Sequence, residues 1–189
     1  MPLCRRLAAS LVFTLLLVSL APAASAADLA APEGAVVVTV AGKIANTNRG
    51  AFDPAKDLFL KYHEVSFDKA AAFDAAMLEQ LGLHAVTVSV PEWPAPVRIE
   101  GPLLRDLVAA VGGAGQSVSL LALDGYASEI SWDDLQALDW IVGLKADGRP
   151  LALGQRGPLW VVYGAPDGRA LTAEDELRWP WATFYIEVK

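Results

Sequence analysis

Few side chains in this sequence could carry chemistry. The only thiol is Cys4, and the only imidazoles are His63 and His84, with twenty residues between them and no H-E-x-x-H or cysteine context around either. A zinc site takes three or four ligands at short, recognisable spacing, so a centre built from both histidines and a carboxylate would have to draw on distant segments. The plain reading of His84 is a loop residue bonded to nearby backbone. Asp53, Asp57, Asp133 and Asp134 lack the alternating ligand spacing of a calcium loop and read as helix caps and solvated acids. No G-x-x-x-x-G-K-S/T phosphate loop and no G-x-S-x-G nucleophile elbow is present. The aromatic inventory says more. Six tryptophans, Trp93, Trp132, Trp140, Trp160, Trp179 and Trp181, each offer an apolar body with one polar donor, which suits both cores and pocket linings. Trp140 and Trp160 sit in apolar runs and read as core. Trp93, Trp179 and Trp181 adjoin prolines and fit either role.

The hydrophobic fraction of 54% is high, and part of it belongs to an export signal. Arg5 and Arg6 precede an apolar run from Leu7 to Leu20 and then Ala24-Ser25-Ala26, the pattern of a signal peptide over residues 1–26. Residues 27–35 read as a leader, and 36–189 as one domain. Cleavage would remove Cys4, and with it every disulfide, thiolate ligand and thiol nucleophile. It would also remove two of the 15 basic residues and none of the 22 acidic ones, taking the net charge from −7 to −9. That sign argues against nucleic acid or an anionic membrane surface as partner. No later apolar stretch is long enough to span a bilayer, so no transmembrane segment is expected in the mature form. Ordinary unfolded export fits better than the twin-arginine route, because Leu7-Ala8 continues the arginine pair poorly.

The elements that must position any site alternate irregularly. The β-branched run Val36–Ile44 predicts a strand, residues 45–61 a loop with a helical turn near 55–62, and Asp68 an N-cap for an amphipathic helix near 68–81 that ends at Gly82. Strands are predicted over Ala85–Val90 and Val97–Ile99, separated by three prolines. A helix opens with Pro102 at its first position and runs to Val111. Ser117–Leu123 predicts a strand turned by Asp124-Gly125, and Ser131 caps a short helix through Leu138. Trp140–Ala146 and Leu151–Leu153 suggest a hairpin about Asp147-Gly148. Leu159–Tyr163 predicts a strand, Thr172–Arg178 a capped acidic turn, and Thr183–Val188 the closing strand. Short strands interleaved with short helices predict a single α+β domain.

Four stretches carry a resemblance. Trp93 followed by Val97-Arg98-Ile99-Glu100-Gly101-Pro102-Leu103-Leu104-Arg105-Asp106-Leu107 matches a W…V-R-W-x-G-V-P-L-R-D-L-L pattern. Leu123-Asp124-Gly125-Tyr126-Ala127-Ser128-Glu129-Ile130 matches A-D-G-Y-x-x-S-L. Asp147-Gly148-Arg149-Pro150-Leu151, then Gly157-Pro158-Leu159-Trp160-Val161-Val162, follow N-G-x-P-L and H-G-x-P-L-R-L-V, and Ile186-Glu187-Val188 closes the order. In these pieces residues 86–188 resemble the molybdopterin-binding oxidoreductase domain of the sulfite-oxidase-like family. The resemblance implies that fold and a periplasmic setting. It also implies a cofactor cleft at Trp93, Asp124, Tyr126, Gln155, Arg156, Trp160 and Trp181.

The positions that would grip the cofactor depart from the family's pattern. Ser89 stands where the resemblance puts the molybdenum-ligating Cys, four residues before Trp93. A hydroxyl is a harder and less acidic ligand than a thiol. Gln155 stands in place of a His and Trp160 in place of an Arg. Trp181-Ala182-Thr183 replaces a segment with a phosphate-binding Lys. Arg156 could compensate in part, with Arg98, Arg105 and Arg149 as further cations. Charge-assisted contacts to a phosphate are worth roughly 1.5–3 kcal/mol each, so losing two or three costs several kcal/mol. No cofactor and no metal ligand is therefore expected. The expected role is a non-catalytic exported domain whose cleft binds a small ligand or a periplasmic partner protein. The alternative is a divergent molybdopterin-dependent oxidoreductase that passes electrons to a periplasmic partner.

Overall fold

The computed structural model describes residues 29–189, so the expected signal peptide and the start of the leader lie outside the described residues. In its first half the chain forms β1 (Val36–Gly42), α1 (Leu58–Tyr62), β2 (Ala70–Asp74), α2 (Ala75–Gln80), β3 (His84–Val88), β4 (Val97–Gly101) and α3 (Leu104–Ala110). It continues with β5 (Val118–Ala122), β6 (Ala127–Ile130), α4 (Trp132–Ala137), β7 (Trp140–Gly143), β8 (Lys145–Ala146) and β9 (Arg149–Pro150). Last come β10 (Trp160–Tyr163), α5 (Ala173–Glu176) and β11 (Thr183–Val188). The fold is mixed α and β, as the interleaved pattern predicts.

A five-stranded sheet with the order β2-β1-β11-β5-β6 forms the larger layer. β1 and β11 pair in parallel, with Val40 opposite Ile186, and the other pairings in that sheet are antiparallel. Residues 38–41 of β1 are buried, which is why β-branched residues follow one another there without alternation. A second sheet runs β3-β4-β8-β9, and β7 and β10 form a wholly buried antiparallel pair with Trp160 opposite Gly143. The approach there is close: a Cβ on Gly143 would meet the Trp160 carbonyl oxygen at 2.7 Å and Ile99 Cγ2 at 2.5 Å. One continuous core joins Val38, Phe73, Leu107, Leu120, Trp140 and Val162. On the other side of the large sheet, Tyr185 packs with Ala41, Leu60 and Ala70, and burial pushes its hydroxyl up to about 12.

Three expectations are corrected. Residues 68–81 are not one helix: Ala70–Asp74 form β2, buried along its length and paired with β1, and only Ala75–Gln80 are helical. The alanines favour helix intrinsically, but small side chains also let a strand lie against β1, and that pairing wins. The N-cap is Asp74, not Asp68. Its Oδ1 accepts from Met77 N at 2.8 Å and its Oδ2 from Gly34 N at 2.7 Å, and these amides hold the carboxyl below its usual range. Gly82 does follow the helix with a φ of 102°.

Pro102 is not the first residue of α3. Leu103 is the N-cap in extended conformation, and Pro102 lies before it, its carbonyl accepting from Val142 N at 2.8 Å. That strand-like contact delays the helix. The hairpin about Asp147-Gly148 exists, but its arms are β8 and β9. Asp147 and Gly148 have φ of 49° and 75°, and a two-residue loop makes its immediate neighbours, Ala146 and Arg149, the first pair. Trp140–Ala146 is split, with β7 turning to β10 and β8 to β4. The strand Ala127–Ile130 was not among the expected elements. Among the described residues, no helix is long and apolar enough to cross a membrane.

Candidate functional site

Three segments that carry little regular structure converge where β10 begins. The β5–β6 turn presents Asp124 and Tyr126. Asp124 Oδ1 accepts from Tyr126 N at 2.9 Å, and Gly125 between them has a φ of 88°, a conformation that glycine adopts without steric cost. The loop before β10 presents Gln155 and Arg156. The segment after α5 presents Leu177, Trp179 and Trp181, with Glu176 at the end of the helix. Backbone bonds lock the three together: Ala182 N donates to Arg156 O at 2.9 Å, Leu123 N to Ala182 O at 3.0 Å, and Val161 N to Pro180 O at 3.0 Å. Trp160 and Trp181 form a further bridge.

The result is a cleft of about 510 Å³ lined by Asp124, Tyr126, Gln155, Arg156, Trp160 and Trp181, together with Ala122, Glu176, Leu177 and Trp179. Its floor is aromatic. The Trp160 ring lies 5.6 Å from Trp93 and 6.4 Å from Trp179 between centroids, and Trp179 is edge-on to Tyr163 at 5.7 Å. The Arg156 guanidinium stacks on this floor, 4.1 Å from the Trp160 centroid and 4.6 Å from that of Trp93. Burial pushes its pKa down while Glu176 raises it, and an arginine remains a cation under either influence. Glu176 Oε1 accepts from Trp93 Nε1 at 3.0 Å and lies 3.9 Å from Arg156 Nη2. At the rim, Tyr126 Oη donates to the Leu177 carbonyl at 2.6 Å, leaving both side chains to present apolar surface. Trp181 is 45% exposed.

Six of the eight candidate residues thus meet in one cleft. Trp93 is a seventh neighbour, part-buried behind Trp160 and Arg156. Ser89 is not in the cleft: it lines a separate groove with Trp93, Arg169 and Leu171. The further cations do not line the cleft. Arg98 pairs with Glu100, Arg105 with Asp139 at 2.7 Å, and Arg149 lies exposed in β9. Sequence reasoning missed Glu176 and Leu177 as lining residues. It left Trp179 open between core and pocket, and at 2% exposed this residue is core that also floors the cleft. Glu176 had no signal of its own, because it follows the capping residue Asp175 in an acidic turn and its role depends on Trp93, far away in sequence.

The other singled-out residues are structural. His63 lies among the rings of Phe59, Tyr62 and Phe184, and His84 is exposed on β3 in a different sheet. Asp57 pairs with Arg49, Asp53 with Lys56 at 3.2 Å, and Asp134 with Arg178 at 2.8 Å. Among the described residues, no group of three or more His, Cys, Asp or Glu is placed to hold a metal ion. Asp175 is 7% exposed and is the hub of a network. It accepts from Tyr163 Oη at 2.5 Å, from both terminal nitrogens of Arg169 at 2.7 Å and from Thr172 N at 2.8 Å. The Arg169 guanidinium, followed by Tyr163 and Thr172, holds its carboxyl far below the carboxylate range, while burial and Asp175 raise Tyr163, so the proton stays on the phenol.

The cleft lining holds two carboxylates, one guanidinium, one amide and a phenol, without a thiol, aliphatic hydroxyl, imidazole or lysine. Such a set can stack, donate and accept hydrogen bonds, and select charge. No protein-family model matches this chain, and no curated protein matches it.

Proposed function

We propose that this chain is an exported domain on the sulfite-oxidase-like scaffold that has given up the metal–pterin group and binds a ligand through the former cofactor cleft. One observation carries the reading: six positions selected by the resemblance, scattered from 124 to 181, line a single cleft. The residues there do not suit a pterin phosphate. Among the described residues, Arg156 is the one cation of the lining and shares it with Asp124 and Glu176, so nothing there balances a second negative charge. A phosphate with about two negative charges would enter with one of them unbalanced. Ser89 offers oxygen where the family offers a thiolate, and it opens on the other groove.

The test is made on the protein purified from its own exported fraction, with molybdenum measured by elemental analysis and pterin by fluorescence after oxidative release. Both are expected well below stoichiometric in a protein that melts sharply. Near-stoichiometric metal and pterin would overturn the reading in favour of a divergent molybdenum oxidoreductase. A Ser89→Cys variant is expected to leave metal content unchanged, whereas metal gained with the restored sulfur would count for the enzyme.

A further inference from the structure

We infer that the cleft takes a small organic monocarboxylate with a flat apolar body, its carboxylate held by Arg156 and its body laid against Trp181. The inference rests on the reading of the cleft as a ligand site and adds the chemical class. Arg156 is an incompletely served cation. Its Cζ lies 4.1 Å from the Trp160 centroid and 4.6 Å from that of Trp93, and because those centroids are only 5.6 Å apart both indoles lie toward one side of it; among the described residues its side chain makes no hydrogen bond. Its ion-pair partner Glu176 stands at 3.9 Å, beyond hydrogen-bond distance. The Glu176 oxygen nearest to it already accepts from Trp93 Nε1 at 3.0 Å. Contact with the indoles on one side holds the guanidinium in place, and with its side chain 40% exposed its N–H groups remain open to an acceptor from the cleft. The two oxygens of a carboxylate match that fork in one plane.

The remaining walls define the rest of the ligand. Trp181, Tyr126 and Leu177 expose rings and a methyl-bearing chain at the mouth, with the Tyr126 hydroxyl already bonded. This is surface for an aryl or similarly flat group, in a volume typical of small-molecule sites. Asp124 and Glu176 oppose a second negative charge, so a monoanion is favoured over a phosphate dianion. A cationic ligand would meet the Arg156 charge, while one oxygen of Asp124 is held by Tyr126 N and one of Glu176 by Trp93 Nε1.

The experiment titrates the purified protein with hydrocinnamate, its neutral amide, phenethylamine and phenethyl phosphate, following tryptophan fluorescence and heat. Hydrocinnamate is expected to bind saturably and at least about ten-fold more tightly than the amide, the margin of a charge-assisted contact. Arg156→Gln should abolish that preference, and Trp181→Ala should weaken acid and amide alike. Amide, amine or phosphate binding as tightly as the acid would overturn the inference, on the native protein and without any variant. If those probes bind in a Trp181-dependent way with no preference for the acid, the ligand site stands and only the carboxylate class falls. If none of the four gives a saturable signal into the millimolar range, the carboxylate site and the small-ligand reading fall together.

Discussion

Replacing Asp175 by alanine tests how the segment flanking the cleft is held. The change removes the acceptor of Tyr163 Oη, of two Arg169 nitrogens and of Thr172 N. Tyr163 is 1% exposed, so its hydroxyl is stranded, at a cost of about 1–3 kcal/mol. Loss of the N3 half of the capping box, which leaves Thr172 N without its acceptor, adds about 1 kcal/mol. Arg169 is half exposed and rehydrates, so its ion pair contributes little. The total is about 3 kcal/mol, which lowers the melting temperature by roughly 6–12 °C in a domain of this size. Tyr163→Phe alone removes the stranded group, so in the double variant the two changes should fall short of their sum by about 1 kcal/mol. Thermal and urea melts followed by circular dichroism measure both. An Asp175→Ala loss under about 1 kcal/mol, or strict additivity in the cycle, would refute the argument. The pH dependence has a definite sign. The folded carboxyl lies below its ordinary value of 3.8, so its stabilisation is complete above that pH and is lost as pH falls toward the folded value. The gap between native and Asp175→Ala melts should therefore narrow below about pH 4.

Two further outcomes follow from the packing and charge of the same region. Gly143→Ala drives a Cβ into the Trp160 carbonyl and Ile99, and should destabilise by about 1–3 kcal/mol in a urea melt, with no change if β7 and β10 can part freely. Glu176→Gln keeps an acceptor for Trp93 Nε1 while removing the charge facing Arg156. With both side chains about two-fifths exposed, the gain is near 1 kcal/mol, and hydrocinnamate should bind roughly five-fold more tightly by calorimetry. Unchanged or weaker binding would show that Glu176 does not compete for Arg156.

Much of the local structure is legible in the chain. Val36–Val40 can only be a strand of high β propensity, Thr172 and Ser131 cap as their spacing predicts, and Asp124-Gly125 and Asp147-Gly148 turn where turn chemistry demands. Boundaries fail where a partner distant in sequence decides. Ala70–Ala72 became strand because β1 lay open beside them, and Pro102 stayed extended because Val142 N bonds its carbonyl.

The site divides in the same way. Asp124, Tyr126, Gln155, Arg156, Trp160 and Trp181, which line one cleft, are singled out through the resemblance, whose motifs are local stretches of the chain. That Ser89 faces another groove, that Glu176 sits between Trp93 and Arg156, and that Trp179 serves core and cleft at once are facts of tertiary structure. The physical reason is range. Caps, turns and β-branched runs act over a few residues, whereas burial, stacking and the competition for a guanidinium depend on segments that only folding brings within 4–6 Å of one another.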